Sequence, residues 1–341
     1  MTTNALSTRH APSWESGPTR FLDILDSPLT KALVDVQDHI TFYTAQFWHD
    51  RGVKSVHLPV TTDSVSSPMG LGSDSEPVLI ELYGQPTYLA DSMQFLLEYG
   101  CRLSPEGAWY LMPSFRGESV DSTHLNQFFH SEAEIPGDLS DVIAVVEEYV
   151  NFLGRTALER LGETIKSIAG NTQHIEDFVA AKTFKRMTLD EACSYLQDAP
   201  EFVRDEGRWK TLTRAGEQEL IRAFGPAVWV SHSDALSVPF YQADAADHPG
   251  KTLNADLLFG LGEIAGCGQR HENRDQVLAA LAAREVNPEH YDWYIRMKEA
   301  RPMLTSGFGL GVERWVMWLL QLDDIRDVSL VPRVNGVSLQ P

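Results

Sequence analysis

Gly307-Phe308-Gly309-Leu310-Gly311-Val312-Glu313-Arg314 is the stretch that most restricts the fold of this chain, because three glycines lead through a Glu-Arg pair into an apolar segment of helix length. Glycine has no Cβ and lets a backbone approach a ligand closely. The first turn of a helix offers unpaired N–H groups and the positive end of its dipole to an anion. We therefore expect a Gly-rich turn that holds a polyphosphate, with Arg314 projecting toward it. Glycines that only pack helices are the alternative interpretation.

The overall composition narrows the class of protein. The chain has 341 residues and a net charge of −20, and it contains no Lys/Arg-rich block. Its acidity lowers the expectation of nucleic-acid binding, which usually needs a basic face, without excluding a local patch. Three widely separated cysteines, Cys101, Cys193 and Cys267, and the lack of an apolar run long enough for a bilayer predict a cytoplasmic protein with structural thiols and no membrane contact.

The order of apolar patterns predicts an α+β fold. We expect residues 1–27 to be a disordered or extended lead and residues 28–341 to form one domain. Helical spacing covers residues 28–51, and residues 138–225 are predicted to be a helical insertion. The predicted strands lie before and after that insertion. They cover residues 53–60, 78–83, 87–90, 108–112, 128–134, 227–231, 239–242 and 253–264.

A second motif, Phe115-Arg116-Gly117-Glu118, lies about two hundred residues before the glycine run. Together the two resemble motifs two and three of class II aminoacyl-tRNA synthetases, in the aspartate, asparagine and lysine subgroup and closest to the asparaginyl enzymes. Residues 28–59, 184–192 and 262–270 resemble further stretches of that family in the same order. The resemblance implies a mainly antiparallel six- to seven-stranded sheet flanked by helices, and it implies ATP and Mg²⁺ as cofactors.

The resemblance also implies the residues of an ATP site in which a carboxylate attacks the α-phosphorus and expels pyrophosphate. Arg116 would hold the α-phosphate and the attacking carboxylate, and Arg314 the γ-phosphate, so these two are the predicted catalytic residues. Phe128 would stack on the purine. The full predicted ATP-binding set is Arg116, Glu118, His124, Leu125, Phe128, Asp256, Glu263, Gly311 and Arg314. Asp256 and Glu263 are also the predicted Mg²⁺ ligands, because Mg²⁺ prefers oxygen; taken singly, such acids are usually solvated, and Phe128 alone would be assigned to the core.

For the amino-acid pocket the resemblance implies a second set, made of Ser92, Gln94, Glu98, Glu132 and Arg270. Glu132 would receive the α-ammonium of the substrate. Leu97 stands where aspartyl enzymes carry a lysine, and Glu98 matches a glutamate of asparaginyl enzymes that accepts from a carboxamide NH₂. Arg270 would face the side-chain oxygen, so the pocket is predicted to be of asparaginyl type. An exposed helix acid is the alternative for Glu98.

Several positions depart from the family pattern. Only about 27 residues precede the first motif, so the anticodon-binding domain is expected to be missing. Thr123 and Gln127 replace charged residues in and beside the motif-two loop, which is one residue short. Cys267 and Gly268 replace Gly-Ser beside the pocket, and Leu304-Thr305 replaces Pro-His. The Gly-rich residues 66–74 are predicted to be a mobile lid, with a plain linker as the alternative.

These observations lead to three functional hypotheses. The first is a free-standing ligase, similar to synthetase-derived asparagine synthetases, that activates aspartate or a related amino acid with ATP and transfers it to ammonia or a small amine. The second is a truncated synthetase that charges tRNA or a carrier protein. The third is an inactive regulatory paralogue. The first makes tRNA an improbable partner, and the resemblance predicts a homodimer formed through residues 28–60.

Overall fold

The computed structural model describes residues 19–66 and 75–334. Its strands, in chain order, are β1 (Lys54–Ser55), β2 (Thr61–Thr62), β3 (Val78–Leu82), β4 (Gln85–Leu89), β5 (Ala108–Phe115), β6 (Gln127–Pro136), β7 (Lys185–Thr188), β8 (Val203–Asp205), β9 (Lys210–Leu212), β10 (Val228–Ser231), β11 (Asn254–Phe259), β12 (Gly262–Gln269) and β13 (Thr305–Gly311). The helices are α1 (Arg20–Asp23), α2 (Pro28–Asp50), α3 (Gln94–Cys101), α4 (Leu139–Ala169), α5 (Gln173–Ala180), α6 (Leu189–Tyr195), α7 (Arg214–Phe224), α8 (Arg274–Ala283), α9 (Asp292–Ala300) and α10 (Val312–Leu320).

The main sheet has eight strands in the order β1-β5-β6-β13-β12-β11-β10-β7. The five central pairings are antiparallel, whereas the edge strands β1 and β7 pair in parallel with β5 and β10. The predicted α+β class is therefore confirmed, and the sheet is a larger, mixed one than the six to seven mainly antiparallel strands expected. The difference lies at the edges, where two and four residues are too few to give an alternating pattern.

Helices α2 and α4 cover one face of this sheet. Ser27 caps α2 by accepting from the Thr30 N–H, with Pro28 at the first helical position. A capping box of Asp138 and Asp141 starts α4, which ends at Gly170 with φ of 86°. Trp48 of α2 and Tyr149 of α4 are buried against Phe308 of β13. Since strand side chains alternate, β13 turns Phe308 to the helices and its glycines to the opposite face.

Predicted and observed elements differ where polar or glycine-rich sequence carries a weak pattern. The helix at Pro28–Asp50 is confirmed, but only Lys54–Ser55 of residues 53–60 pairs as a strand. Residues 239–242 form no strand, and Gln242 alone among them makes an isolated bridge, to Arg270. Residues 138–225 contain β7, β8 and β9 besides helices, and β7 belongs to the main sheet. The glycine run is itself the strand β13 and not a turn.

Other predictions concern the ends and surface of the molecule. Residues 20–26, expected in the disordered or extended lead, form α1 and a 3-10 turn, while residues 67–74 of the expected lid lie outside the described residues. On α2, Phe42 is 60% exposed and Val34 49%. The homodimer through residues 28–60 stays a prediction. No helix in the described part of the chain has the length and apolarity to cross a bilayer.

Candidate active site

Gly266, Gly307 and Gly309 line a long cavity on the sheet face opposite α4, and Gly268 belongs to the same face. They lie on the neighbouring strands β12 and β13, where Gly266 is opposite Gly309 and Gly268 is opposite Gly307. Two rows of residues cross five strands through these glycines. The first row is Asp256, Gly266, Gly309, Glu132 and Tyr110, and the second is Asn254, Gly268, Gly307, Glu134 and Ala108. The floor is therefore bare backbone between acidic walls, which leaves room for a ligand.

The glycines of β13 also make room for the glutamates of β6. A Cβ atom on Gly309 would lie 2.9 Å from Oε1 of Glu132, and one on Gly307 would lie 1.8 Å from Oε2 of Glu134. Real Cβ atoms do not come this close to neighbouring atoms. The glycine run therefore positions two buried carboxylates, in addition to any role toward a phosphate.

Glu132 forms an acidic end of the cavity. Its Oε2 accepts from the Ser92 hydroxyl at 2.7 Å and from the Tyr110 hydroxyl. Burial raises the pKa of Glu132 to about 7, although both hydroxyl donors oppose that rise. Asp91, held by the Ser66 hydroxyl at 2.9 Å, lines the same end. Two carboxyl groups with so few cations near them suit a ligand ammonium.

Arg270 forms the other end of the same cavity and is paired inside the protein. Its Nε and Nη2 donate to the carboxylate of Glu134 at 3.0–3.2 Å, and the two side chains are 2% and 0% exposed. Its Nη1 donates to Oε1 of Gln242 at 3.1 Å and its Nη2 to Oε1 of Gln94 at 3.4 Å. The ring of Tyr241 lies 5.2 Å from the guanidinium carbon. The charge of Arg270 is thus balanced by Glu134 before any ligand arrives.

A second cavity adjoins the first and shares Arg116, His130, Glu263 and Gly309 with it. The guanidinium of Arg116 lies 5.4 Å from the ring centroid of Phe128. Its Nε is buried and has no hydrogen-bond partner among the described residues. Buried donors are nearly always paired in folded proteins. This unpaired N–H therefore points to an acceptor that a ligand would bring.

The acids Asp256 and Glu263 meet above Gly266. A Cβ on Gly266 would lie 3.2 Å from Oδ1 of Asp256 and 3.0 Å from Oε1 of Glu263. Glu217 of α7 lies beside them, and its Oε2 accepts from the Glu263 N–H at 3.3 Å. Arg314 donates from Nη1 to the Glu263 carbonyl at 2.6 Å, so the main chain of Glu263 is held on both sides. Burial, followed by the charge of Glu263, raises the pKa of Asp256 well above its usual value.

These acids fit a magnesium ion better than a metal held by protein alone. The described residues contain no group of three His, Cys, Asp or Glu side chains arranged to hold a metal. Mg²⁺ is typically bound through one or two carboxylates, with waters and substrate phosphates completing its shell. The carboxylates of Asp256 and Glu263 would supply the protein part of such a site, and a bound cation would remove the repulsion between them.

A β-bulge in β12 explains how Glu263 and Arg270 come to line one cavity. Residues seven apart on a regular strand point to opposite faces. Leu258 pairs with Glu263 and Leu257 with Ala265, which leaves Ile264 without a partner on β11. This extra residue exchanges the two faces of β12, so that Glu263, Gly266, Gly268 and Arg270 share the cavity side. Gln269 instead points to α4, where it accepts from the Leu139 N–H.

Comparison with known proteins identifies the family of this chain. The family model for class II tRNA synthetases of the D, K and N group matches residues 17–335. The chain belongs to this family. It is 30% identical over 335 residues to the asparagine–tRNA ligase of Pyrococcus abyssi, covering 94% of this chain and 73% of that enzyme.

Further class II synthetases match in sequence and in structure. The asparagine–tRNA ligase of Thermococcus gammatolerans is 32% identical over 259 residues, 74% of this chain. The chain spans only 59% of that relative. The asparaginyl-tRNA synthetase of Pyrococcus horikoshii, solved with asparaginyl-adenylate, superposes with a TM-score of 0.83 at 27% identity, covering 93% of this chain and 71% of that one.

The structure brings most of the residues predicted from the class II resemblance to the two adjoining cavities. In the first lie Ser92, Gln94, Glu132, Asp256 and Arg270, and in the second lie Glu118, His124, Leu125, Phe128, Gly311 and Arg314, with Arg116 and Glu263 in both. Glu98 is the exception. It is fully buried behind Arg270, where it accepts from the Tyr294 hydroxyl at 2.6 Å and pairs with Lys298. Glu98 therefore lines neither cavity, and Glu134 is the glutamate that lies beside the guanidinium of Arg270.

Among the residues that line or support the two cavities, Asp91, Glu134, Gln242 and Glu217 were not predicted as site residues from the sequence. Glu134 lies on the same face of β6 as Glu132, two residues on, so strand alternation could have identified it. Gln242 lies in a loop and Glu217 on a helix distant in sequence, and neither has a local signal. Each comes to the site only through the packing of β12 against its neighbours.

The raised pKa of Glu132 predicts a pH-dependent affinity for an amino acid that places its ammonium at this end of the cavity. Above about pH 7 the group is ionised and can accept from an ammonium, whereas below it the protonated acid has lost that charge. We expect the Kd for the amino acid to rise about tenfold for each pH unit below 7, with the Kd for ATP changing little. Calorimetry between pH 5.5 and 8.5 measures both. A pH-independent amino-acid Kd would contradict this role for Glu132.

Proposed function

We propose that this chain activates asparagine with ATP to give asparaginyl-adenylate and pyrophosphate, and that the acceptor is tRNA. The choice of asparagine as the amino acid rests on the Arg270–Glu134 pair. A substrate carboxylate at this end of the cavity would meet a cation that is already neutralised, and burying such a charge without a partner is costly. A carboxamide brings both a donor and an acceptor and no charge.

The proposed reaction uses each end of the two cavities. Glu132 and Asp91 would bind the α-ammonium of asparagine, and Arg116 would hold its α-carboxylate against the α-phosphate of ATP. The carboxylate oxygen then bonds to the α-phosphorus as the bond to pyrophosphate breaks. Arg116 and Arg314 would stabilise the charge that develops on the phosphoryl oxygens. Mg²⁺ at Asp256 and Glu263 would supply further neutralisation of the phosphates.

For the acceptor, the relatives favour the second of the three hypotheses from the sequence over the first. The similar proteins are named as asparagine–tRNA ligases, and none of those quoted is named for transfer to ammonia. We therefore propose the 3′ end of tRNA as the acceptor, in place of ammonia or a small amine. The acidic motif-two loop, with Asp121 accepting from the backbone and side chain of Thr123, offers few cations for that contact.

Two measurements, made one after the other, test the amino acid and then the acceptor. ATP–pyrophosphate exchange with each of the twenty amino acids should be supported by asparagine and at least about tenfold less by aspartate. Labelled asparagine should then appear in total tRNA, and less so as salt rises from 50 to 200 mM. Exchange with aspartate alone would refute the substrate, and product formed from ammonia or hydroxylamine but never on tRNA would refute the acceptor.

The proposed metal site gives a separate prediction. Glu263→Gln keeps the size of the side chain but removes a charge, so the Mg²⁺ concentration needed for half-maximal exchange should rise by about tenfold or more. Glu219→Gln, which changes a partly exposed acid of α7 paired with Arg222, is the matched control. An unchanged Mg²⁺ requirement in Glu263→Gln would remove Glu263 from the metal site.

A further inference from the structure

Gln242 is a cavity residue with no role in the reaction described so far. It lies in the loop between β10 and β11, on an isolated bridge to Arg270, and its side chain reaches the end of the cavity where Arg270 lies. An arginine only donates, so the atom of Gln242 that faces Nη1 at 3.1 Å is its oxygen, and the NH₂ is turned away. Gln242 thus gives Arg270 the kind of acceptor that a substrate side chain would otherwise give.

The hydrogen bonds of Arg270 show how little of it remains for a ligand. Among the residues that the structure describes, the N–H of Nε and both N–H groups of Nη2 are directed at Glu134 and Gln94, and Gln242 takes one N–H of Nη1. A guanidinium has five N–H groups, so one on Nη1 is left. A ligand side chain can therefore reach Arg270 at one point only, next to the carboxamide of Gln242.

Gly268 is what makes room for this carboxamide. A Cβ on Gly268 would lie 1.8 Å from Oε1 of Gln242, 2.7 Å from its Cδ and 3.0 Å from its Nε2. The methyl group would be fixed on the central strand β12, and all three of these atoms belong to the end of the Gln242 side chain, so Gln242 is the group that would have to move. The carboxamide of Gln242 thus fills the space that a side chain at position 268 would need. It lies over the floor of the cavity, where a longer substrate side chain would extend.

We propose that Gln242, accommodated by Gly268, is the specificity-determining residue that sets the length of the amino-acid side chain the site accepts. It closes the cavity beyond a four-carbon amino acid and excludes the five-carbon homologue with the same carboxamide, glutamine. This inference rests on the proposed function, since it presumes that Arg270 marks the side-chain end of an amino-acid site. It predicts discrimination by length, which is independent of the discrimination by charge that Glu134 provides.

The first test is Gln242→Ala, with exchange rates measured for asparagine, glutamine and aspartate. This substitution removes the carboxamide and one methylene, about four heavy atoms, and one methylene in a pocket typically alters discrimination by about 10–200-fold. We expect the ratio of kcat/KM for asparagine over glutamine to fall by at least about tenfold. The ratio for asparagine over aspartate should stay within about twofold, because Glu134 still balances Arg270. Gln269→Ala, a glutamine of β12 that faces α4, is the matched control and should change neither ratio.

The second test examines whether a side chain at position 268 and the carboxamide of Gln242 compete for the same space. Gly268→Ala alone should displace Gln242 and lower kcat/KM for asparagine by about tenfold or more, whereas Gly268→Ala in a Gln242→Ala background should cost little further. Thermal unfolding of each variant separates loss of folding from loss of specificity. If Gly268→Ala does not fold, the Gln242→Ala ratio alone decides.

The outcomes separate this inference from the function on which it rests. Wild-type protein that exchanges with asparagine, together with an unchanged asparagine-to-glutamine ratio in Gln242→Ala, overturns the role of Gln242 and leaves the proposed function standing. Gly268→Ala with wild-type kinetics overturns it as well. Wild-type protein that forms no adenylate with any amino acid overturns the proposed function and this inference with it.

Discussion

Arg116→Ala should lower the rate of ATP–pyrophosphate exchange by about 10²–10³-fold, because it removes the donors aimed at the charge of the transition state. Its buried Nε has no partner in the described protein, so the loss is expected in catalysis and not in folding. Arg116→Lys should recover only part of the rate, since an ammonium keeps the charge but not the planar fork of donors. Exchange kinetics with saturating substrates measure the effect.

The control for Arg116 is an arginine of similar charge that lies away from the cavities. Arg296 on α9 has a side chain that is 74% exposed, and Arg296→Ala should exchange at the wild-type rate. Thermal unfolding should give the same midpoint for all three variants within about 2 °C. Arg116→Ala with more than half of the wild-type rate would exclude Arg116 from the reaction.

Gly307→Ala should abolish amino-acid binding and destabilise the fold. The added methyl group would lie 1.8 Å from Oε2 of Glu134, 2.7 Å from the Ala133 carbonyl and 2.8 Å from Nη2 of Arg270. Backbone and a buried ion pair cannot both move aside, so the free energy of unfolding should fall by about 1–3 kcal/mol. Urea denaturation followed by tryptophan fluorescence measures this change.

Gly311 provides the comparison on the same strand. A Cβ there would meet only the side chain of Arg314, at 3.6 Å, which is an ordinary contact. We therefore expect Gly311→Ala to unfold at the same urea concentration as the wild type. Equal destabilisation by the two substitutions would mean that the glycines serve strand flexibility in general and not the space that Glu134 and Arg270 require.

Much of this site could be predicted from the sequence because its parts lie in short ordered motifs. Arg116, Glu132 and Arg314 were predicted because they lie in motifs that resemble the class II family, and the helix at Pro28–Asp50 follows from its periodicity and its cap. The residues of a strand that face the cavity could also be predicted, because side chains alternate between the two faces along β6. The order of these motifs along the chain also supports the family assignment, because chance would not place several motifs in that order.

What could not be predicted depends on contacts between distant segments. Glu98 carries the same local signal as a substrate glutamate, yet Lys298 and Tyr294, about two hundred residues later, hold it in the interior. The glycine run is predicted as a turn because its glycines lead directly into an apolar segment of helix length. It is a strand because Glu132, Glu134 and Arg270 need the space that side chains would fill. Only the packed sheet contains that information.

The unpaired Ile264 in β12 has a consequence for how this protein tolerates change in length. From Ala265 onward, each residue of β12 points to the face of the sheet that the residue next to it in sequence would occupy in a regular hairpin. Losing Ile264 would remove the bulge and leave Glu263 and Arg270 six residues apart on a regular strand, where both still point to the cavity. A deletion at another position between these two residues, with the bulge kept, would instead turn Arg270 toward α4. The effect of a one-residue deletion on the site therefore depends on whether it falls at Ile264.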